Sequence, residues 1–265
     1  MKFHSKRWVV KLGSNLLTRE NGVNQEQIES IANQVAGLAH KGYEIILVSS
    51  GAISAGMSAL GLTKRPVERF ALQGCATIGQ PRLMKAYDEA FAVHQMITGQ
   101  ILLTSWDLDS RALYENTRQT LEHLLSLGRC VPIFNENDAL SFEELAMLNK
   151  FGDNDRLSAH IAILAEAAQL IILSTVDGLR TKPDGTGILV KRVHQIDAKI
   201  RGYAGKSQND RSVGGMVSKL QTAQSMLDHG IPMVIADGRE SGVLLKIAAG
   251  KEIGTRFEKK AGSKR

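Results

Sequence analysis

Short apolar runs alternate with amphipathic stretches through most of this chain, and that alternation limits the fold more than any other feature. It is the pattern of an α/β domain whose largely parallel sheet is buried on both faces. Trp8 to Leu12 opens as a strand. Asn24 then caps a helix, with Gln27 placed for a capping box, and Ile28, Ile31, Val35 and Leu38 share one face until Gly42 stops it. Glu44 to Ser49 is the next strand. The same rhythm predicts a helix around Arg82 to Val93, a strand near Gln100 to Thr104, and a helix carrying Leu113, Thr117, Leu121 and Leu124 that ends at Gly128. Cys130 to Phe134 reads as a strand, Leu157 to Ala168 as a helix, and Leu170 to Ser174 as a strand again. Between Leu179 and Val193 the turn signal Pro183-Asp184-Gly185 predicts a β-hairpin. Met216 to Asp228 is helical, Ile231 to Ala236 a strand, and Ser241 can cap a final short helix. No repeat, low-complexity linker or domain boundary stands out, so one domain over residues 1–265 is expected.

A chain of 265 residues can bury a core without disulfide or metal staples. Its apolar fraction of 43% and charged fraction of 23% are ordinary for a globular protein. Cys75 and Cys130 lie far apart, without CxxC spacing or a nearby histidine pattern, and read as reduced core thiols. The basic start, Met1 to Arg7, is followed by only Trp8 and a two-valine run before Lys11, too short for the apolar core of a signal peptide, and no segment approaches the ~20 apolar residues of a membrane helix. A cytoplasmic location is expected. The net charge of +6 is compatible with a nucleic-acid partner and equally with an enzyme that gathers anionic substrates; part of it sits in the tail Lys259, Lys260, Lys264 and Arg265.

Four loops follow strand candidates directly. In open α/β sheets ligands bind at the carboxyl ends of the strands, where helix N-termini point unbonded N–H groups outward. The first loop, Lys11-Leu12-Gly13-Ser14-Asn15, sets a lysine at a strand end, where it could reach a phosphate, or could simply be a surface lysine beside a turn. The second runs from Val48 to Gly56 through Ser49, Ser50 and Gly51; Met57 and Ser58 stand where a P-loop needs Lys and Ser/Thr, so it is not one, and its small residues could serve only close helix packing. GxGxxG is also missing, which disfavours a dinucleotide fold. The third combines Asn135-Glu136-Asn137-Asp138 with Gly152-Asp153-Asn154-Asp155, carboxylates beside apolar elements that must be paired, solvated or used. Asp155 by itself fits a helix N-terminus, and the spacing is not that of an EF-hand. The fourth, Val213-Gly214-Gly215-Met216-Val217-Ser218-Lys219, opens a helix with a glycine pair suited to phosphate approach, with Lys219 projecting from the first turns.

The strings VVKLGS (Val9 to Ser14), VSSGAISAG (Val48 to Gly56), IGQPRL (Ile78 to Leu83), NENDA (Asn135 to Ala139), FGDNDRLSA (Phe151 to Ala159) and GGMVSKLQTA (Gly214 to Ala223) together resemble, in order, the signature of the glutamate 5-kinases of the amino acid kinase family. The resemblance spans nearly the whole chain. It implies a three-layer αβα sandwich with a mainly parallel central sheet, glutamate bound toward the N-terminal half, and ATP with Mg²⁺ bound toward the C-terminal half, the metal held mainly by the nucleotide phosphates. Carried over by position, Lys11 and Lys219 would hold the transferring phosphoryl group, Asp155 would orient them, and Ser50, Asp138 and Asn154 would bind glutamate. Ser174, Thr175 and the segment Val213, Gly214, Gly215, Met216, Val217, Ser218 and Lys219 would line the ATP site. The chain departs from the family where members often carry Thr-Asp in place of Ser174-Thr175 and Thr in place of Val213. Many members also have a C-terminal domain resembling RNA-modification modules, and the resemblance here is to a short form without it.

The implied activity is phosphorylation of the L-glutamate side chain, the first step of proline biosynthesis, and the implied partners are a homo-oligomer, proline as feedback inhibitor and a glutamyl phosphate reductase. Other acceptors used in the wider family, namely acetylglutamate, aspartate, carbamate and a nucleoside monophosphate, form one set of competing readings. An RNA-binding or regulatory protein on the same fold forms another, against which stand the presence of Lys11, Asp155 and Lys219 and the lack of an evident aromatic-basic RNA motif.

Overall fold

The computed structural model describes residues 3–19, 22–104, 107, 109–140, 154–205 and 215–260. Its strands are β1 (His4–Leu12), β2 (Thr18–Arg19), β3 (Gly22–Val23), β4 (Glu44–Val48), β5 (Ile97–Leu103) and β6 (Cys130–Glu136). They continue with β7 (Ala167–Ser174), β8 (Arg192–Val193), β9 (Met233–Asp237) and β10 (Thr255–Phe257). Eight of them form one sheet in the order β5-β6-β4-β1-β7-β9-β10-β8, while β2 and β3 make a separate ribbon. The first six in that order run parallel; β10 turns antiparallel on β9 and pairs in parallel with β8.

Central β1 shows why the apolar runs are continuous. Val9 and Val10 are both fully buried, yet they point to opposite faces. Val9 joins Ile46, Phe134 and Ile172 beneath the helices Arg111–Ser126, Asn154–Leu164 and Met216–His229. Val10 joins Leu47, Ile133 and Ile171 beneath Gln25–Ala39, Arg69–Ala92 and Val243–Ala248. The result is the expected three-layer αβα sandwich.

Local sequence signals mostly hold. Asn24 accepts from the Gln27 N–H at the start of the Gln25–Ala39 helix, but the box does not close: Gln27 Nε2 donates to the Gly238 carbonyl at 2.9 Å, and the Asn24 N–H bonds to the Leu17 carbonyl. The hairpin forms with Gly185 at φ +79, its arms joined by Thr181 N–H to Ile188 and Val190 N–H to Leu179. Helix boundaries differ more. The predicted Leu157 to Ala168 helix ends at Leu164, because Glu166 takes φ +49 and β7 starts at Ala167. The last helix is capped by Gly242 at φ +66, one residue beyond Ser241.

The largest correction is the helix expected around Arg82, which spans Arg69–Ala92 and contains Pro81. Packing overrides the breaker. A Cβ on Gly56 would lie 1.8 Å from the Cys75 carbonyl oxygen, and one on Gly79 would lie 1.8 Å from that of Ala52. The small residues of Gly51 to Gly56 therefore seat the Ala52–Ala59 helix backbone to backbone against the Arg69–Ala92 helix rather than against the sheet. Short β2, β3, β8 and β10 gave no readable period of their own.

Candidate active site

The parallel strands deliver the candidate residues to one edge of the sheet. Across the carboxyl ends in sheet order lie Asn135 near the end of β6 with Asp138 beyond it, Ser50 after β4, Lys11 on β1 with Gly13 just beyond, Ser174 at the end of β7 followed by Thr175, and Gly238 after β9. Register fixes the middle of this row, since Lys11 lies opposite Val48 on one side and Ile172 on the other.

At the centre Asp155 is fully buried in the first turn of the Asn154–Leu164 helix, where the helix dipole favours a carboxylate. Lys11 Nζ lies 2.6 Å from its Oδ1 and Lys219 Nζ lies 3.0 Å from its Oδ2, with both lysines about 5% exposed or less. Burial opposes ionisation of Asp155, but the charges and hydrogen bonds of Lys11 and Lys219 outweigh it and hold the carboxyl below its ordinary range. Within this trio two ammonium groups share one carboxylate, so an anion is the natural fourth member. Gly13 does not offer its N–H to such an anion, because that group donates to the Leu173 carbonyl at 3.0 Å.

On the β4–β6 side a chain of amides has a fixed polarity. The Glu136 N–H can only donate, so Asn135 turns Oδ1 toward it and Nδ2 toward Gln80 Oε1, at 2.9 and 2.8 Å. Asn154 Nδ2 then donates to Asn135 Oδ1 at 3.2 Å and to Ser50 Oγ at 3.0 Å. The buried polar atoms without hydrogen-bond partners among the described residues include, on this side, the acceptors Asn154 Oδ1 and Asp138 Oδ1 and the donor Gln80 Nε2. Asp138 as a whole is half-buried, yet Oδ1 is closed off from solvent, and burial pushes its carboxyl up to about 6 against the pull of Arg65. Two acceptors and one donor left in this way match an ammonium and a carboxylate.

On the β7–β9 side the Ser174 carbonyl accepts from Gly238 N–H at 2.9 Å, and the Thr175 carbonyl accepts from Arg239 Nη2 at 2.8 Å. Arg239 also grips Asp237 through Nη2 at 2.6 Å, holding that carboxyl below its ordinary range. Gly215 caps the Met216–His229 helix without a side-chain bond; Met216 and Ser218 are half-buried there and Val217 is exposed. Val213 and Gly214 lie outside the described residues.

Lys11, Asp155 and Lys219 thus form one cluster, and Ser50 and Asn154 form another that touches it through the neighbouring positions 154 and 155. Sequence reading gave no role to Gln80, Asn135, Asp237 or Arg239, although Asn135 opened the third loop and Gln80 lay within the IGQPRL string. Asn135 carried a signal, a polar residue ending an apolar strand, whereas Gln80 was hidden inside a helix assigned too short.

The amino acid kinase family profile matches residues 6–237. Among curated proteins the chain is 43% identical to a glutamate 5-kinase of Thermus thermophilus over 255 residues, covering 96% of this chain and 67% of that one. It is 45% identical to the Geobacter sulfurreducens glutamate 5-kinase over 258 residues, covering 95% and 67%. With the Clostridium perfringens glutamate 5-kinase it shares 40% identity over 264 residues, and 97% of each chain is covered. The UMP kinase structure from Bacillus anthracis superposes with a TM-score of 0.63 at 17% identity over 97% of both chains, a likeness of fold.

Proposed function

This chain belongs to the amino acid kinase family and within it to the glutamate 5-kinases, and from that premise we propose that it transfers the γ-phosphoryl group of ATP to the side-chain carboxylate of L-glutamate. The products are ADP and L-glutamyl 5-phosphate, the first step of proline biosynthesis. The observation that carries the mechanism is the Lys11–Asp155–Lys219 trio at the carboxyl ends of the central strands.

A glutamate side chain has a pKa near ~4.3, so at neutral pH the nucleophile is already ionised and needs no general base. The obstacle is repulsion between a carboxylate and a triphosphate, and catalysis is positioning plus electrostatic stabilisation. Lys11 and Lys219 hold the transferring group from the protein side, and Asp155 keeps their heads fixed. Asp138 and Asn154 receive the α-ammonium, and Ser50 positions Asn154. Gln80 Nε2 is available to the α-carboxylate. Ser174, Thr175 and the segment from Val213 to Lys219 line the nucleotide side. Because Asp155 is engaged by two ammonium groups, Mg²⁺ fits this site as a companion of the ATP phosphates, where it neutralises developing charge.

The remaining parts of the reading rest on the family: one domain over residues 1–265, a homo-oligomer, a cytoplasmic setting, proline as inhibitor and a reductase that consumes the acyl phosphate. Among the described residues no helix is long and apolar enough to cross a membrane. The test is incubation with ATP, Mg²⁺ and glutamate in the presence of hydroxylamine. Hydroxamate that depends on ATP, on Mg²⁺ and on glutamate is expected; its absence with folded protein, or equal yield from acetylglutamate, overturns the reading.

A further inference from the structure

Gln169 lies on β7 five residues before Ser174, which at a strand rise of roughly 3.3 Å per residue places it about 17 Å from the carboxyl edge. A cleft of about 390 Å³ opens there, lined by the sheet and by the turn that follows the Val243–Ala248 helix. Val234 and Ile247 give it an apolar wall. This is the layer opposite the helices that carry Asp155 and Lys219.

The charges around the cleft do not balance. Arg192 pairs with Glu252 and Glu258, and Arg256 with Glu258, whereas Lys191 and Lys251, both exposed on the rim, enter no ion pair among the described residues. Gln169 itself is only 6% exposed. Arg256 Nη1 donates to its Oε1 at 3.0 Å, and because a guanidinium has no acceptor, that bond fixes which end of the amide is the oxygen. Gln169 Nε2 is thereby turned away from Arg256, and it has neither solvent contact nor an acceptor among the described residues. A buried donor without a partner is rare enough in folded proteins to call for an explanation.

We propose that this cleft binds a small molecule carrying an oxyanion, carboxylate or phosphate, whose charge is met by Lys191 and Lys251 and whose oxygen draws the closed-off Gln169 Nε2 toward the cleft as its acceptor. A cleft of this volume suits a metabolite-sized ligand, and its apolar wall suits a short hydrocarbon portion. The site is separate from the lysine trio and does not depend on which acceptor the enzyme phosphorylates.

The side-chain amide of Gln169 reports on the site directly. In protein labelled with ¹⁵N-glutamine its signals are identified by their disappearance in Gln169→Glu, a substitution that keeps an acceptor for Arg256. Inorganic phosphate and acetate are titrated separately. A saturable shift of the Gln169 signals with at least one probe is expected, with affinity weakened about tenfold or more in the Lys191→Ala/Lys251→Ala double variant, the scale of one lost charged hydrogen bond. A response to phosphate alone assigns a phosphorylated ligand, and a response to acetate alone a carboxylate. Signals unmoved by both probes, or moved with equal affinity in the double variant, overturn the proposal.

Discussion

Lys219 brings its ammonium to 3.0 Å from Asp155 Oδ2 across a sequence separation of 64 residues, and Lys11 reaches the other oxygen of the same carboxylate from a third element. Three segments thus converge on one buried group, and each member of the trio can be removed with a different expected consequence.

Lys219→Met should separate catalysis from stability. It leaves a one-to-one Lys11–Asp155 pair and replaces a buried ammonium by a side chain of similar length, so the urea midpoint should hold or rise. The turnover number should nevertheless fall on the order of 10²-fold or more, the scale of losing one preorganised electrostatic group. Near-normal kcat in the folded variant would remove Lys219 from the mechanism.

Asp155→Asn should damage both. Two buried ammonium groups would then face each other without their carboxylate, and breaking such a pair costs about 3–5 kcal/mol. Because the folded pKa of Asp155 lies below the unfolded value of ~3.9, its stabilisation is fully present above that value and is lost as pH falls through the folded pKa. Acid unfolding of the wild type should therefore lie well below neutrality, and kcat should show no ascending limb near pH 7 from this group. Full activity in the variant contradicts the orienting role.

The sheet and its two helical layers were legible because they rest on continuous apolar runs, whereas local pattern left Lys11, Asp155 and Lys219 open and only the family resemblance set the three together. The Arg69–Ala92 helix was not legible, since Pro81 reads as a breaker and only contact between Gly79 and Ala52 and between Gly56 and Cys75 reveals why the chain stays helical. Gln80 was missed for the same reason, as its partner Asn135 lies 55 residues away and on another element. The capping box failed to close because the Leu17 carbonyl takes the Asn24 N–H that Gln27 Oε1 would have accepted, while Gly238, 211 residues away, takes up Gln27 Nε2.

Gly56→Ala tests the helix contact. The added methyl would sit 1.8 Å from the Cys75 carbonyl oxygen, a backbone atom that can move only with its helix. Overpacking of this kind costs about 1–3 kcal/mol or more. A lower urea midpoint with unchanged m value is expected, whereas Gly74→Ala, with open space around it on the Arg69–Ala92 helix, should be neutral or stabilising. Equal midpoints for the two variants would show that the helices can part without cost.

Gln80 should act on glutamate through Asn135. Gln80→Leu leaves Asn135 Nδ2 without its acceptor at 2.8 Å and frees the amide chain to lose its polarity, so the glutamate KM should rise about tenfold while the ATP KM stays near its parent value. Gln80→Glu keeps an acceptor for Asn135 and should restore the order of that amide, but it sets a carboxylate where the substrate carboxylate is proposed to lie. Its KM for glutamate should therefore remain high, with normal thermal stability. A low KM in Gln80→Glu would assign Gln80 to support of Asn135 alone.

Asp138 supplies a pH signature that no other group in the proposed acceptor site shares. Burial raises its carboxyl to about 6, so in the free enzyme it is protonated below that value and ionised above it. Only the ionised form can pair with the α-ammonium of glutamate, and the substrate side-chain carboxyl, near ~4.3, has finished titrating by then. The glutamate kcat/KM should therefore climb with pH through a midpoint about 6. At saturating glutamate the bound ammonium holds Asp138 ionised, so kcat should lack that limb. A charged hydrogen bond is worth roughly 1.5–3 kcal/mol, so Asp138→Asn should lower kcat/KM about 10- to 150-fold at alkaline pH and flatten the profile near the midpoint. The ATP KM should change little, because Asp138 follows β6 whereas the proposed nucleotide groups lie at the end of β7 and at the start of the Met216–His229 helix. A limb that survives in Asp138→Asn, or a flat wild-type profile, would place the α-ammonium elsewhere in the site.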